Sequence, residues 1–312
     1  MVKVKIINLN LTNKLIKKSH RWYKKTGFSL FQRAARHLEL KKKEKIFNVI
    51  DGLQVDTPQI HFTESAQSRV IWICWFQGLD NAPLLVKRCI ESVYKHSGAL
   101  KIVIITESNF LDYISLPPDI IKKYKSGLIG KAHFSDILRC CLLHKYGGIW
   151  LDATMFLTRE LSSPFLNLPF CSLRFKNLFS NGSISNGLWT TYFLASEKNG
   201  YLIECIMNSL IKYWQKYDVA IDYFLMDYVF LYFFEKDDVA RKQILMQPFL
   251  GGNRFLLKDN MNNCYSNELI KKFSQDSTGI YKLSYKERYR SSDNGQPTVY
   301  SQILDGAFRL KG

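Results

Sequence analysis

The sequence predicts an α/β fold with a mostly parallel central sheet, preceded by a basic helical extension. An almost unbroken apolar run closed by glycine, Arg69–Gly78, is typical of a strand buried on both faces of a parallel sheet. A helix and a second β-branched strand follow it, which is the order of a βαβ unit. Residues 1–48 hold fourteen Lys/Arg and two Asp/Glu, which indicates a separate N-terminal extension. We therefore expect an extension at 1–60 and an α/β domain at 61–312.

The charge of the chain is concentrated at its start. Of the net charge of +17, +12 falls in residues 1–48 and +5 in the remaining 264 residues. No nucleic-acid recognition motif accompanies this charge, so we expect no nucleic acid partner. Two alternatives stay open for the extension. In the first, the extension binds an anionic membrane surface through its lysines and inserted aromatic side chains. In the second, it is a solvated helical segment that packs on its own domain.

Cysteine usage and hydropathy predict the compartment. The seven cysteines form an odd set without a C-x-x-C pair, so we expect reduced thiols and no zinc site. The opening residues lack the apolar region of a signal peptide, and no stretch of 18 or more apolar residues occurs. These features predict a cytoplasmic protein, and the basic start suits a peripheral position on the inner face of the plasma membrane.

The elements between the first strand and residue 130 have clear signals. The segment NAPLLVKRCIESVYKHSG predicts a helix with Asn81 as its cap and Gly98 as its stop. The segment ALKIVIITESN predicts the strand that completes the βαβ unit. Pro117 and Pro118 predict a division between two short helices.

The segment from Lys131 to Phe156 carries the chemistry. A clean apolar stripe predicts a helix over Lys131–Tyr146, with Asp136 and Arg139 off the stripe and one turn apart. After a Gly-Gly turn, IWLDATMF predicts a strand of period two. Asp152 and Thr154 then share a face, together with Trp150, at the strand end where open α/β sheets bind ligands.

The remainder predicts a strand at PFCSLRF, helices at EKNGYLIECIMNSLIKYWQKY and IDYFLMDYVFLYFFEK, and a short strand and turn at TGIYKLSYK. The C-terminal segment SSDNGQPTVYSQILDG predicts a loop and a final helix.

A strand-end carboxylate with a second oxygen two residues on can hold Mg²⁺ or Mn²⁺ against a nucleoside diphosphate. The Asp136 and Arg139 pair can hydrogen-bond sugar hydroxyls or phosphate oxygens, or it can be an ordinary helix-surface salt bridge. A glycoside hydrolase would need a close acid/base carboxylate pair, which the sequence does not identify.

The segment GKAHFSDILRCCLLHKYGGIWLDATMF resembles the signature of the capsular polysaccharide synthesis proteins, grouped with glycosyltransferase family 32 and its DXD sugar-binding region. The resemblance is strong over residues 69–156 and thinner to the segments IDYFLMDY and YKLSYK. It implies a GT-A fold and a retaining hexosyltransferase that uses a UDP-sugar, with galactose or glucose as the hexose. The implied acceptor is a lipid-linked oligosaccharide of bacterial capsule or surface polysaccharide synthesis.

The resemblance also implies roles for individual residues. Trp75 would stack on the nucleotide base, Asp136 and Arg139 would grip the donor sugar, and Asp152 would begin the metal motif with Thr154. The alternative for Trp75 is a core aromatic.

Further assignments are looser. Asn186 would contact the donor, or it is a turn residue before glycine. Asp227 would face the anomeric carbon, whereas Asp222 is expected to cap a helix. Lys282 and Lys286 would reach the diphosphate, or they are solvated surface lysines.

The metal motif differs from the usual D-x-D, because the chain has Asp152-Ala153-Thr154 there, although D-A-T is the form that the resemblance implies for the capsular branch of the family. A threonine hydroxyl is a poorer metal ligand than a carboxylate. The sequence therefore keeps a second function open, a catalytically weak or inactive sugar-nucleotide-binding protein of the same fold.

Overall fold

The structure is a computed structural model that describes residues 9–59, 69–161, 164–176 and 183–310. The predicted boundary between residues 60 and 61 lies outside these ranges. The helices are α1 Asn10–Thr26, α2 Ser29–Asp51, α3 Leu84–His96, α4 Phe110–Tyr113, α5 Pro118–Lys125, α6 Lys131–Tyr146, α7 Pro164–Asn167, α8 Tyr201–Lys216, α9 Leu225–Lys236, α10 Asp238–Met246, α11 Leu256–Asp259, α12 Asn267–Ser274 and α13 Val299–Leu304. The strands are β1 Val70–Cys74, β2 Lys101–Ile105, β3 Gly148–Asp152, β4 Met155–Leu157, β5 Phe170–Ser172, β6 Phe193–Ser196, β7 Ile280–Lys282, β8 Ser292–Asp293 and β9 Gln296–Pro297.

The chain forms two compact units. The first comprises the described residues of Met1–Ile60, Ser115–Cys141 and Tyr201–Arg241. The second comprises those of His61–Ile114, Leu142–Gly200 and Lys242–Gly312.

The second unit contains a five-stranded sheet in the order β2-β1-β3-β6-β5. Strand β1 pairs in parallel with both β2 and β3, whereas β6 runs antiparallel to its neighbours β3 and β5. Four of the five strands therefore point in one direction, which confirms the predicted α/β class and mostly parallel sheet. Strand β6 was not predicted, because its four residues are too short a run to show a period.

The predicted βαβ unit is confirmed as β1, α3 and β2. Ile71, Ile73 and Val86 are fully buried in the core that this unit shares with β3. The predicted cap of α3 is wrong. Asn81 lies in a 3-10 turn and donates from its amide to the Gln77 carbonyl, so the helix begins after Pro83, whose ring fixes φ near a helical value.

The Gly147-Gly148 turn between α6 and β3 requires glycine at both positions. The backbone φ angles are 69° and 97°, in the left-handed region that side chains avoid. A Cβ on Gly148 would lie 2.4 Å from the Val70 carbonyl oxygen of the neighbouring strand. The turn therefore lets β3 enter the sheet directly beside β1.

The predicted strand IWLDATMF is interrupted. Strand β3 ends at Asp152, a turn follows at Ala153 and Thr154, and Met155 then opens β4 in a separate two-stranded sheet with β7. The reason is pairing, since Met155–Leu157 bond antiparallel with Ile280–Lys282, a partner that local sequence does not reveal.

The first unit is helical, and α2 is an integral part of it. One face of α2 is buried through Ile46, Phe47 and Ile50, and Phe47 packs edge-on against Tyr232 of α9 at 5.3 Å between ring centroids. The ammonium of Lys42 is buried 2.8 Å from the Asp222 carboxylate. Helix α2 therefore packs against other helical segments of the protein, as the second interpretation of the extension predicts.

All seven cysteines are free thiols. Within the described ranges, no helix combines the length and the apolar character needed to span a bilayer.

Candidate functional site

A cluster of polar groups lies where β3 ends in the second unit. The ammonium of Lys282, on β7, is 2.8 Å from Asp152 Oδ2 and 2.8 Å from Thr154 Oγ1. Asp152 Oδ1 accepts a hydrogen bond of 3.1 Å from the indole of Trp150, so the predicted shared face of these two residues is observed. The Lys282 and Asp152 side chains are 20% and 30% exposed, which leaves the pair accessible but partly shielded from water.

Tyr192 forms one wall of this cluster. Its backbone carbonyl accepts from the Asp152 amide at 2.9 Å, and Lys282 Nζ lies 5.1 Å from the centre of its ring. Burial raises the pKa of Tyr192 to about 12, although the nearby Arg254 guanidinium acts to lower it. The tyrosine therefore stays neutral at physiological pH and offers a ring face and a hydroxyl, while Arg254 adds a second positive charge to this region.

Trp75 follows β1 at the same edge of the sheet, since its neighbour Cys74 is in register with Asp152. Its ring meets Tyr285 edge-on at 5.4 Å, and Lys286 Nζ is 5.8 Å from the Tyr285 ring. The indole Nε1 of Trp75 is buried and has no hydrogen-bond partner in the described part of the chain. Trp75, Lys286 and the Asp152 cluster thus belong to one region of the second unit.

The hydrogen bonds of this cluster indicate whether a divalent metal fits between Asp152 and Thr154. Asp152 and Thr154 do present the two oxygens that the sequence predicts, but both bind the Lys282 ammonium. A Mg²⁺ or Mn²⁺ ion needs several oxygens at short range and would have to displace this positive group. Among the described residues, no group of three or more His, Cys, Asp or Glu side chains could hold a metal. As arranged, these residues fit an ammonium and not a divalent ion.

Asp136 and Arg139 lie in the first unit, on α6. They form the i, i+3 ion pair that the spacing predicts, with 3.2 Å between Asp136 Oδ1 and an Arg139 guanidinium nitrogen. Arg139 is only 7% exposed, so this is not the solvated surface pair of the alternative interpretation. His133 is 4.0 Å from the other Asp136 oxygen. Burial lowers the pKa of His133, and the opposing effect of the Asp222 charge is smaller.

The other predicted residues have less specific surroundings. Asp227 lies half-buried in the first turn of α9, where a negative charge suits the helix dipole. Asp222 is not the cap of that helix. Its Oδ1 accepts from the Phe224 amide, but the rest of its carboxylate binds Lys42 and Asn13. Asn186 is exposed in a turn with φ of 46°, the conformation of a turn asparagine.

The family model of the capsular polysaccharide synthesis proteins matches residues 20–303. The chain belongs to this family. A curated relative, the Glycosyltransferase afumC of Aspergillus fumigatus (strain CBS 144.89 / FGSC A1163 / CEA10), is 26% identical over 125 residues, which cover 37% of this chain and 31% of that protein. Among solved structures, the PaToxG Glycosyltransferase matches with 16% identity and a TM-score of 0.40, over 70% of this chain and 90% of that one.

In this member of the family, sequence reasoning missed Tyr192, Arg254 and Tyr285 as parts of the site. Tyr192 directly precedes β6, which was itself unpredicted, and Arg254 precedes the short helix α11. Only Tyr285 had a usable signal, because it lies three residues after Lys282 in a segment already singled out.

Proposed function

We propose that the protein is a glycosyltransferase of GT-A type that transfers a hexose from a UDP-sugar to a lipid-linked oligosaccharide, with retention at the anomeric carbon. The observation that carries this proposal is the Asp152, Thr154 and Lys282 cluster at the carboxyl end of β3. Ligands of open α/β sheets bind at this edge. The name of the curated relative and the family of the chain agree with a transferase role.

Trp75 and the nearby cations supply complementary contacts for a nucleoside diphosphate. The Trp75 ring offers an aromatic face for the base, and its buried indole N–H leaves a donor for a ligand oxygen. Lys282, Lys286 and Arg254 are positive groups suited to the two phosphates. Asp136 and Arg139 remain the predicted grip on the donor sugar, and Asp227 the predicted catalytic carboxylate.

The proposed hexose transfer proceeds as follows with these groups around the donor. The bond between the anomeric carbon and the diphosphate breaks, and its electron pair leaves with UDP. The acceptor hydroxyl bonds to the same face of that carbon and loses its proton to a phosphate oxygen. Cations fixed beside the diphosphate stabilise the charge that develops, so no protein nucleophile is needed.

The experiment is a nucleotide-release assay on the purified full chain with a panel of nucleotide sugars. Asp152→Ala should reduce release by about 100-fold, since it removes the group that positions the site cation. Asp112→Ala, at an exposed carboxylate of α4, is the matched control and should retain activity.

The alternative is a sugar-nucleotide-binding protein without catalysis, which the Asp-Ala-Thr sequence favours. That function would give saturable UDP-sugar binding without release of nucleotide. Equal activity of Asp152→Ala and the unmodified chain would refute the proposed site.

The membrane role is part of the same proposal. An acceptor carried on lipid requires the enzyme to work at the inner face of the membrane, and the basic N-terminal helices suit an anionic surface.

A further inference from the structure

The side chain of Lys282 occupies the position that the family motif would give to a metal. Its Nζ lies at hydrogen-bond distance from both oxygens of the motif and 5.1 Å from the Tyr192 ring centre. A metal bound to the same two oxygens would sit in the space that the ammonium fills. The two cations are mutually exclusive in this arrangement.

Lys282 is held by strand pairing and not by a mobile loop. It is in register with Met155 on β4, and its backbone amide donates to the Arg254 carbonyl at 2.7 Å. The following amide, of Leu283, donates to the Thr154 carbonyl at 2.9 Å. The backbone that carries the lysine is therefore bonded to the segment that carries its acceptors.

The composition of the motif matches a monovalent cation. The sequence supplies one carboxylate and one hydroxyl, Asp152 and Thr154, where Asp-x-Asp would supply two carboxylates. One carboxylate balances one ammonium, and a hydroxyl has lone pairs that can accept an ammonium N–H. The threonine is thus accounted for by the lysine that binds it.

We propose that Lys282 is the resident cation of this site and that the protein binds its donor diphosphate without a divalent metal. This inference rests on the proposed function. An ammonium has three N–H donors, of which the bonds to Asp152 and Thr154 use two. The third serves a phosphate oxygen of the leaving diphosphate.

The test measures UDP binding by calorimetry and Mn²⁺ binding by electron paramagnetic resonance, on the full chain after EDTA treatment. We expect the same UDP affinity with and without Mn²⁺. Lys282→Met should weaken UDP binding about tenfold or more, through loss of a charged hydrogen bond. Lys272→Met, at an exposed lysine of α12, is the matched control and should bind UDP normally.

A UDP affinity that rises about tenfold or more with Mn²⁺ would overturn the proposal. So would Mn²⁺ that is immobilised by the unmodified chain and released by Asp152→Ala. If UDP fails to bind under any condition, the proposed function fails, while the Mn²⁺ spectra still decide the role of the lysine. Should Lys282→Met not fold, Thr154→Val keeps the ammonium and removes one acceptor, and it should also weaken UDP binding.

Discussion

At the scale of single residues, one glycine determines where the site carboxylate lies. Gly148 begins β3, and Asp152 is the last residue of the same strand. The close approach of Gly148 to Val70 fixes the register of β3 against β1. A side chain at position 148 would push the strand away from its neighbour and shift Asp152 with it.

Gly148→Ala should lower the free energy of unfolding by roughly 2 to 6 kcal/mol, because a left-handed φ and an overpacked contact each cost about 1–3 kcal/mol. Gly127→Ala is the matched control, since Gly127 also has a positive φ of 78° but would meet nothing within 4 Å. It should cost about 1 kcal/mol. Urea denaturation of both variants checks this, and equal losses would show that the contact with Val70 is unimportant.

At the scale of elements, the lysine run at positions 41–43 illustrates how one helix serves several environments. Lys41 is exposed, Lys42 is buried against Asp222, and Lys43 lies 2.9 Å from Glu235 of α9. Asn13 of α1 joins the buried pair by donating to Asp222 and accepting from Lys42. This network connects α1 and α2 to the segment that leads into α9.

Lys42→Met should destabilise the protein by about 3–5 kcal/mol, because it leaves the Asp222 carboxylate buried without its cation. Lys41→Met changes the neighbouring exposed lysine and should alter stability by less than about 0.5 kcal/mol. Thermal unfolding of the two variants measures the difference. A pair of equal melting temperatures would mean that the ion pair adds nothing to the attachment of α2.

The elements differ in how well the sequence predicts them. Helix α6 was predicted with its observed bounds, because apolar residues recur along its whole length and its end is set by glycine. Strand β6 is too short to show a period, and the start of β4 inside the predicted strand IWLDATMF depends on its pairing with β7. The site shows the same division. Asp152 and Thr154 were predicted from their spacing, whereas the bond of Lys282 to both depends on a pairing of β4 with β7 that no local pattern encodes.

At the scale of the whole molecule, charge and exposed apolar surface coincide at the turn between α1 and α2. The exposed side chains there include Trp22, Phe28 and Leu30, which are 41%, 67% and 71% exposed. Lys24 and Lys25 are exposed beside them, within the segment that holds most of the net charge. Basic residues around exposed aromatics are typical of segments that insert into an anionic lipid surface.

The full chain should bind vesicles of mixed neutral and anionic lipid about tenfold more tightly than neutral vesicles, and salt should weaken this binding. Replacing Trp22, Phe28 and Leu30 together with serine should reduce binding to anionic vesicles by about tenfold or more, because their apolar area is no longer buried in lipid. Leu111→Ser is the matched control, as Leu111 is 50% exposed in α4 of the second unit.

Cosedimentation measures vesicle binding of the unmodified chain, the triple variant and the control. Because the altered side chains are exposed, we expect unchanged melting temperatures. Equal sedimentation of the triple variant and the control would contradict membrane insertion at this turn, and salt-sensitive binding that persists in the triple variant would assign the interaction to the lysines alone.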